Sequence, residues 1–307
     1  MDETIPRSGQ DMKVAVTGST GFIGLHLIRA LAEAGDERVA IVRGSSGPEP
    51  LRRLGVSPVR AELDQESALA EAFGGCEAVV HLAGGGFANR RTTWRANVDG
   101  TRHVISACRQ AGVTHLLLAS TVTVTRRRVG AYGESTREAE RLVLESGLDA
   151  TVFRFAFVYG PGRTGVFARL VALARRLPVV PVVGTGRLDI APVYVDDVVQ
   201  ALLAALRRPE VASGKVYTLA GPPATFDDVV DGVLERLGTP TKRKLHISGP
   251  VALALARVLA VLPDPPLTRD NVLGMVQEAD HDSALARSEL GFDPRPLAAG
   301  LVLAFAA

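Results

Sequence analysis

Short apolar runs of strand length alternate with longer amphipathic stretches from Lys13 to about Thr125. This alternation predicts parallel strands joined by crossover helices, since a strand can return parallel only by crossing over one face of the sheet. Strands are expected at Lys13 to Thr17, Arg38 to Val42, Ser57 to Arg60, Ala78 to Leu82, His115 to Ala119 and Thr151 to Phe155. Helices are expected at Gly21 to Ala34, Glu66 to Phe73, Val98 to Ala111 and Ser135 to Ser146. Gly35, Gly112 and Gly147 suit the left-handed position that closes a helix.

After Gly160 the pattern changes to a Pro/Gly loop at Pro161 to Gly165, a helix near Phe167 to Arg176 and a strand around Val179 to Val183. Beyond Gly221, Pro222, Pro223, Pro240, Pro250, Pro263, Pro265 and Pro266 punctuate short helices. The fold expected is α/β, a doubly wound parallel Rossmann sheet from 11–162 plus 190–220. A smaller, mostly helical C-terminal cap, with the substrate region, would come from 163–189 plus 221–307. Neither a solenoid-length repeat nor a low-complexity segment interrupts this plan.

Composition leaves it intact. The 307 residues are 47% hydrophobic and 22% charged with a formal net charge of +2, the balance of a globular protein with a large core. Scattered basic residues argue against a nucleic-acid partner. Arg126, Arg127 and Arg128 form one short cluster, either a solvated loop or positive charge delivered to a site. Cys76 and Cys108 lack zinc spacing and fit buried thiols in a reducing cytoplasm. Met1 to Asp11 lacks the basic and apolar regions of an export signal. Val251 to Leu262, interrupted by Arg257, is too short to be a transmembrane segment, which needs about 20 residues, and reads as a buried or amphipathic helix. No histidine pair has metal-ligand spacing, so His26, His103 and His115 are expected in structural roles and no metal is expected.

Between the first strand and first helix, Gly18, Gly21 and Gly24 are spaced G-x-x-G-x-x-G. Glycines there permit a tight turn, close approach of the backbone to a pyrophosphate and close packing of helix on strand, while helix amides face the anion. The turn residues Gly18, Thr20, Gly21, Phe22, Ile23 and Gly24 are therefore the expected dinucleotide cradle. At the end of the second strand, close to the spacing of about 20 residues where NAD-binding chains carry an acid, stands Arg43. A cation accommodates a ribose 2′-phosphate, which favours NADP(H) over NAD(H).

Five segments in order, Thr17 to Gly24, His81 to Gly84, Asn97 to Thr101, Phe157 to Gly162 and Val193 to Asp197, resemble the short-chain dehydrogenase/reductase superfamily over nearly the whole chain. The likeness is strongest to its extended and atypical branch, the NAD-dependent epimerase/dehydratase family, and within it to proteins similar to the nucleotide-binding accessory subunit of respiratory complex I. The resemblance implies that Glu62 and Leu63 flank the adenine, that Leu82, Ala83 and Gly84 line the cofactor, and that the chain pairs as a homodimer through helices of the main domain. It also implies a catalytic set at Thr121, Tyr132 and residue 136, where the family's Tyr-x-x-x-Lys lysine is replaced by Thr136.

A lysine four residues on from Tyr132 would share its helix face. An ammonium about 5 Å from the phenol is worth roughly 3 kcal/mol at an effective dielectric near 20, or about two pKa units. Threonine can donate a hydrogen bond to ribose but cannot supply that charge. The four lysines, Lys13, Lys215, Lys242 and Lys244, are remote from Tyr132 in sequence. Loss of the lysine harms a phenolate base more than a neutral phenol acting as acid. Arg154, Phe155 and Tyr159 to Gly162 are expected to border the nicotinamide and the substrate entrance. Asp196 or Asp197 reads as a helix N-cap, and Trp94 with Arg95 as either substrate contact or packing.

Three functions stay open: an NADP(H)-dependent carbonyl reductase or epimerase/dehydratase-like oxidoreductase on a small-molecule substrate, a nucleotide-binding sensor or accessory protein, and a non-redox lyase or cyclase. The Leu, Ala and Pro content of the cap leans to an apolar substrate.

Overall fold

The computed structural model describes residues 12–44, 49–85, 89–162, 165–262, 265 and 267–306. Its first half runs β1 (Lys13–Thr17), α1 (Phe22–Glu33), β2 (Glu37–Val42), α2 (Glu49–Arg53), β3 (Val59–Arg60), α3 (Glu66–Ala72), β4 (Ala78–His81), α4 (Arg90–Trp94), α5 (Gly100–Ala111), β5 (His115–Thr121), α6 (Ala131–Leu144) and β6 (Asp149–Phe155). The second half continues β7 (Val158–Tyr159), α7 (Gly165–Arg176), β8 (Val180–Val183), β9 (Val193–Tyr194), α8 (Val195–Arg207), α9 (Pro209–Ala212) and β10 (Val216–Leu219). It ends with α10 (Phe226–Arg236), β11 (Lys244–Ile247), α11 (Gly249–Leu259), α12 (Arg269–Val276), α13 (Ala284–Leu290) and α14 (Leu297–Ala306).

Seven strands make one parallel sheet in the order β10-β6-β5-β4-β1-β2-β3. Because a strand alternates its side chains, β1 feeds both faces. Val14 and Val16 pack with Leu27 and Leu31 of α1 and Leu202 of α8. Ala15 packs on the opposite side with Leu69, Val104 and Val143 from α3, α5 and α6. Burial on both faces explains why these strands read as unbroken apolar runs. Each fully buried leucine there contributes about 1.5–3 kcal/mol relative to exposure.

The expected doubly wound sheet is present, with three local differences that matter to the site. β5 continues through Ser120 and Thr121, because His115 to Thr121 pair residue by residue with Asp149 to Phe155. α6 starts at Ala131 rather than Ser135, which places Tyr132 in its first turn. The helix expected from Val98 is preceded by α4 and a wide i→i+5 turn at Arg95–Asp99 that carries Asn97. Gly35, Gly112 and Gly147 all have positive φ.

The cap has its own core, with Phe167, Leu170, Val229, Val233 and Leu301, and a two-stranded parallel sheet of β8 and β11. α13 returns to the main layer, where Ala286 and Leu290 join the core beside α8 and β10. Cys76 and Cys108 are free and buried, and burial pushes their thiols up to about 11 and about 12. In α11, Ala252 and Ala256 are buried while Val251, Leu255 and Val258 are exposed. Among the described residues no helix is long and apolar enough to cross a membrane. Met1 to Asp11, residues 45–48 and residues 163–164 lie outside the described residues, so the expectations placed on them are not addressed by the fold.

Candidate active site

The strand order reverses between β1 and β4, and a cleft opens at their carboxyl ends, where open parallel sheets bind ligands. Its walls come so close that side chains are excluded. Gly18 has φ +70°, and a Cβ on it would fall 2.7 Å from the Ala83 nitrogen. A Cβ on Gly24 would fall 2.2 Å from the Gly18 carbonyl oxygen. The two glycines thus let the β1 turn, the strand-β4 loop and α1 meet. α1 begins with no side-chain cap and no acid in its first turn. Its positive end is left for an anion.

The cleft has two lobes. The inner one, about 250 Å³, is lined by Phe22, Ile23, Gly24, Tyr132, Thr136 and Phe155. The outer one, about 660 Å³, is lined by Thr20, Arg43, Glu62, Leu63 and Gly100 among others. Gly18, Gly21, Leu82, Ala83 and Gly84 border both. Every residue expected to hold a dinucleotide therefore borders one continuous groove. Its glycine cradle, its uncapped helix end and its length in two lobes fit that group.

At the outer rim Arg43 is exposed and makes no ion pair with another described residue. Glu62 is turned to accept the Gly44 amide at 2.8 Å. Arg95 pairs with Asp64 at 2.6 Å. Leu63 is held through its carbonyl by His103 at 2.8 Å.

At the inner lobe, Thr121 ends β5 beside Phe155. Its Oγ1 accepts the Thr123 amide at 3.2 Å and lies 3.1 Å from the Thr123 Oγ1. Tyr132 is half-buried. Burial pushes its phenol above the ordinary value, the nearby Thr121 side chain pulls it back, and the Asp270 carboxylate pushes it up again. Asp270 also accepts the Tyr132 amide at 3.3 Å. Tyr132 is thus held as a neutral phenol at neutral pH.

Thr136 is buried and faces the same lobe, but its hydroxyl donates to the Tyr132 carbonyl oxygen at 2.8 Å. A hydrogen bond from Thr136 to a ribose would compete with this bond inside α6. Ser120 has a different task from its neighbour. It donates to Glu140, which is buried and also takes Arg154 at 2.9 and 2.6 Å. The Glu140–Arg154 pair with Ser120 stitches β5, α6 and β6 together, and Ser120 rather than Thr121 is the strand-β5 hydroxyl that lines the inner lobe.

Residues 14–220 match the model of the NAD dependent epimerase/dehydratase family. This chain belongs to that family. A 2-alkyl-3-oxoalkanoate reductase of Stenotrophomonas maltophilia (strain K279a) is 30% identical, over 92% of this chain and 95% of that protein. The expected likeness to complex I is also found: the mitochondrial NADH dehydrogenase [ubiquinone] 1 alpha subcomplex subunit 9 of Arabidopsis thaliana is 24% identical, over 92% of this chain and 74% of that protein. Among solved structures, MoeE5 in complex with UDP-glucose and NAD superposes with a TM-score of 0.77 at 27% identity, covering 96% of this chain and 97% of that one.

Several residues of the family motifs hold neighbouring elements together. His81 is fully buried between the Thr17 hydroxyl at 2.7 Å and the Thr101 hydroxyl at 3.2 Å, and burial lowers it to about 4. Asn97 accepts the Gly85 amide at 2.9 Å and donates to Ser135 at 2.9 Å, clipping the strand-β4 loop to α6. The sequence held Asn97 within a motif without its role, which exists only once the wide turn aims its amide. Tyr159 is corrected from substrate entrance to cap core, since it is fully buried and donates to the Leu297 carbonyl at 3.3 Å. The N-cap of α8 is Tyr194, so neither aspartate caps it. Asp196 instead binds His26 at 2.8 Å, and Asp197 binds Arg295 at 2.7 Å. Trp94 lies in a separate surface hollow with Arg90 and Arg91.

Proposed function

We propose that this family member is a carbonyl reductase that uses NADP(H) and acts on a small apolar 3-oxo compound. The observation that carries it is Tyr132, its phenol kept neutral by burial, at the inner end of a two-lobed cleft whose lining has no lysine. Gly18, Gly21 and Gly24 would hold the reduced dinucleotide, which would supply a hydride to the carbonyl carbon and so be oxidised. Tyr132 gives its phenolic proton to the carbonyl oxygen, which completes the alcohol, and regains a proton from water. Thr121 lies near the phenol, and Asn97, through Ser135 and Gly85, keeps the loop and α6 at a set separation. Leu118, Ala119 and Phe155 give the inner lobe an apolar floor. The name of the Stenotrophomonas relative, a reductase of alkyl 3-oxo acids, supports the substrate class.

NADP(H) rather than NAD(H) rests on Arg43, exposed at the outer lobe and free of any described carboxylate. Free buried thiols suit a reducing cytoplasm.

A second function, nucleotide binding without turnover, is favoured by one observation: Thr136 brings the cleft no charge, and its hydroxyl donates to the Tyr132 carbonyl. The likeness to a complex I subunit supports it as well. The two separate in one experiment. Absorbance of the reduced nicotinamide band is followed while protein and NADPH meet a panel of alkyl 3-oxo acids, ketones, quinones and nucleotide sugars. A reductase consumes NADPH with the apolar 3-oxo members and not with nucleotide sugars. Tight NADPH binding with no consumption across the panel rejects the reductase.

A further inference from the structure

One helix of the cap turns its large apolar side chains outward. From Pro250 to Leu259, α11 is apolar at every position except Arg257. A helix on a protein surface ordinarily packs its apolar stripe on the core and shows polar residues to water. In α11 the fully buried residues are small: Ala252 and Ala256 join one cluster with Val183 and Val272. Val251, Leu255 and Val258, spaced to share one face, are 53%, 42% and 69% exposed. Val261 and Leu262 continue the exposure past the helix end, and Leu245 of β11 is exposed as well. An outward apolar patch of this kind marks a surface that something covers.

The unpaired charges on α11 and the segment before it are positive. From Leu237 to Pro263 the chain has no aspartate or glutamate and carries Lys242, Arg243, Lys244 and Arg257. Lys242 and Lys244 are used inside the cap, on the Ala174 carbonyl and on Asp231. Arg243 and Arg257 are exposed and pair with no described residue. Arg175 and Arg176, also exposed and unpaired among the described residues, end α7 at the same end of the β8–β11 pair as Arg243, because Lys244 is in register with Val180.

The make-up of this face selects its occupant. Protein partners are recognised through aromatic anchors and about one hydrogen bond per 100–200 Å². Residues 250–262 offer no aromatic side chain and, besides Arg257, no side-chain hydrogen-bonding group. A second copy would bring two Arg257 side chains to one interface with no acid on α11 to offset them. Lipid hydrocarbon needs no hydrogen bond, and an anionic headgroup layer matches the free arginines. We infer that α11 lies flat on a bilayer that bears anionic lipid, with Val251, Leu255 and Val258 at the acyl boundary and Arg243 and Arg257 on the headgroups. At 11 residues it is about 16 Å long, which suits contact along a surface and not a crossing.

α11 packs on α12 through Val272, and α12 supplies the Asp270 that accepts the Tyr132 amide at 3.3 Å. A bilayer on α11 would stand one helix from Tyr132, which suits an apolar substrate drawn from lipid. That consequence rests on the proposed reductase, and the docking itself does not.

The test is co-sedimentation of the full chain with vesicles of phosphatidylcholine, alone or mixed with phosphatidylglycerol. Affinity for the mixed vesicles should exceed that for phosphatidylcholine by about tenfold or more at low salt, from about fivefold per cation, and the excess should shrink as salt is added. Arg243→Ala and Arg257→Ala should each lower it about fivefold. Arg52→Ala, which removes an exposed cation of α2, should leave it unchanged. Leu255→Asp combined with Val258→Asp should abolish retention on both kinds of vesicle, while the circular dichroism spectrum and NADPH affinity stay as they were.

No retention on the mixed vesicles overturns the docking and leaves the reductase standing. Retention that survives Leu255→Asp with Val258→Asp, or an equal loss from Arg52→Ala, also overturns it, because general positive charge and not α11 would then hold the lipid. A dimer that those two aspartates disperse, with no vesicle retention by the natural protein, gives the face to a second copy instead. Retention as described with no NADPH consumption on any substrate keeps the docking and rejects the reductase.

Discussion

The two ends of the cleft are made of different material. Between β1 and α1 the site is backbone: Gly18 and Gly24 are there because a Cβ would collide with main-chain atoms, and an uncapped helix end is left for an anion. Between β5 and α6 it is side chain: Tyr132 and Thr136 line it with Ser120, and the proposed chemistry rests on Tyr132. A backbone site tolerates few changes and binds whatever its amides fit. A side-chain site can lose one charged group while the fold stays intact. Binding and catalysis can therefore separate in this family, and the substitution at Thr136 sits where they do.

The largest test of that contrast is Tyr132→Phe, expected to cut carbonyl reduction by about 10²–10⁴-fold, the usual worth of a positioned acid. NADPH affinity, measured by fluorescence titration, should stay within about twofold, since the glycine turn and not the phenol is the proposed dinucleotide cradle. A parallel loss of binding would mean that the two ends are not independent.

His81 underlies the backbone end, tying β1 to β4 and α5 through Thr17 and Thr101. Its folded value of about 4 lies below the ordinary value near 6.5, so between those pH values the unfolded chain takes a proton that the folded one refuses. Stability is complete above about pH 6.5 and falls by about 3 kcal/mol as pH drops toward 4. Denaturant titrations of the natural protein and His81→Gln should show that slope in the first and its loss in the second.

Gly24→Ala puts a Cβ against the Gly18 carbonyl. Overpacking of this kind costs about 1–3 kcal/mol, so dinucleotide affinity should fall about 10–100-fold by calorimetry. Unchanged affinity would show that the turn is not the cradle. Smallest is Arg43→Ala, expected to weaken NADPH about tenfold, as loss of one charged hydrogen bond does, and to leave NADH unchanged. Equal losses for both would remove Arg43 as the discriminating residue.

What the sequence made legible follows the same division. Parallel strands buried on both faces leave apolar runs, and glycines excluded by backbone contact leave a spacing, so the sheet and the cradle could be read directly. β7, β9 and β10, two to four residues long, carry too little period to be read. The role of Asn97 depends on a wide turn that no local pattern announces. Thr136 was legible as a missing charge, but the capture of its hydroxyl by the Tyr132 carbonyl depends on α6 starting at Ala131. The Arg126 cluster was visible as charge, and only the fold sets Thr123 between it and Thr121.

The most direct test of a neutral Tyr132 as the working acid is the pH dependence of kcat in both directions on one ketone and alcohol pair. With the phenol held above the ordinary value of about 10, reduction should be flat from about pH 6 to 9 while alcohol oxidation rises about tenfold per pH unit. Oxidation that levels off near pH 7 would reveal a phenolate already formed at neutral pH and would contradict the assignment.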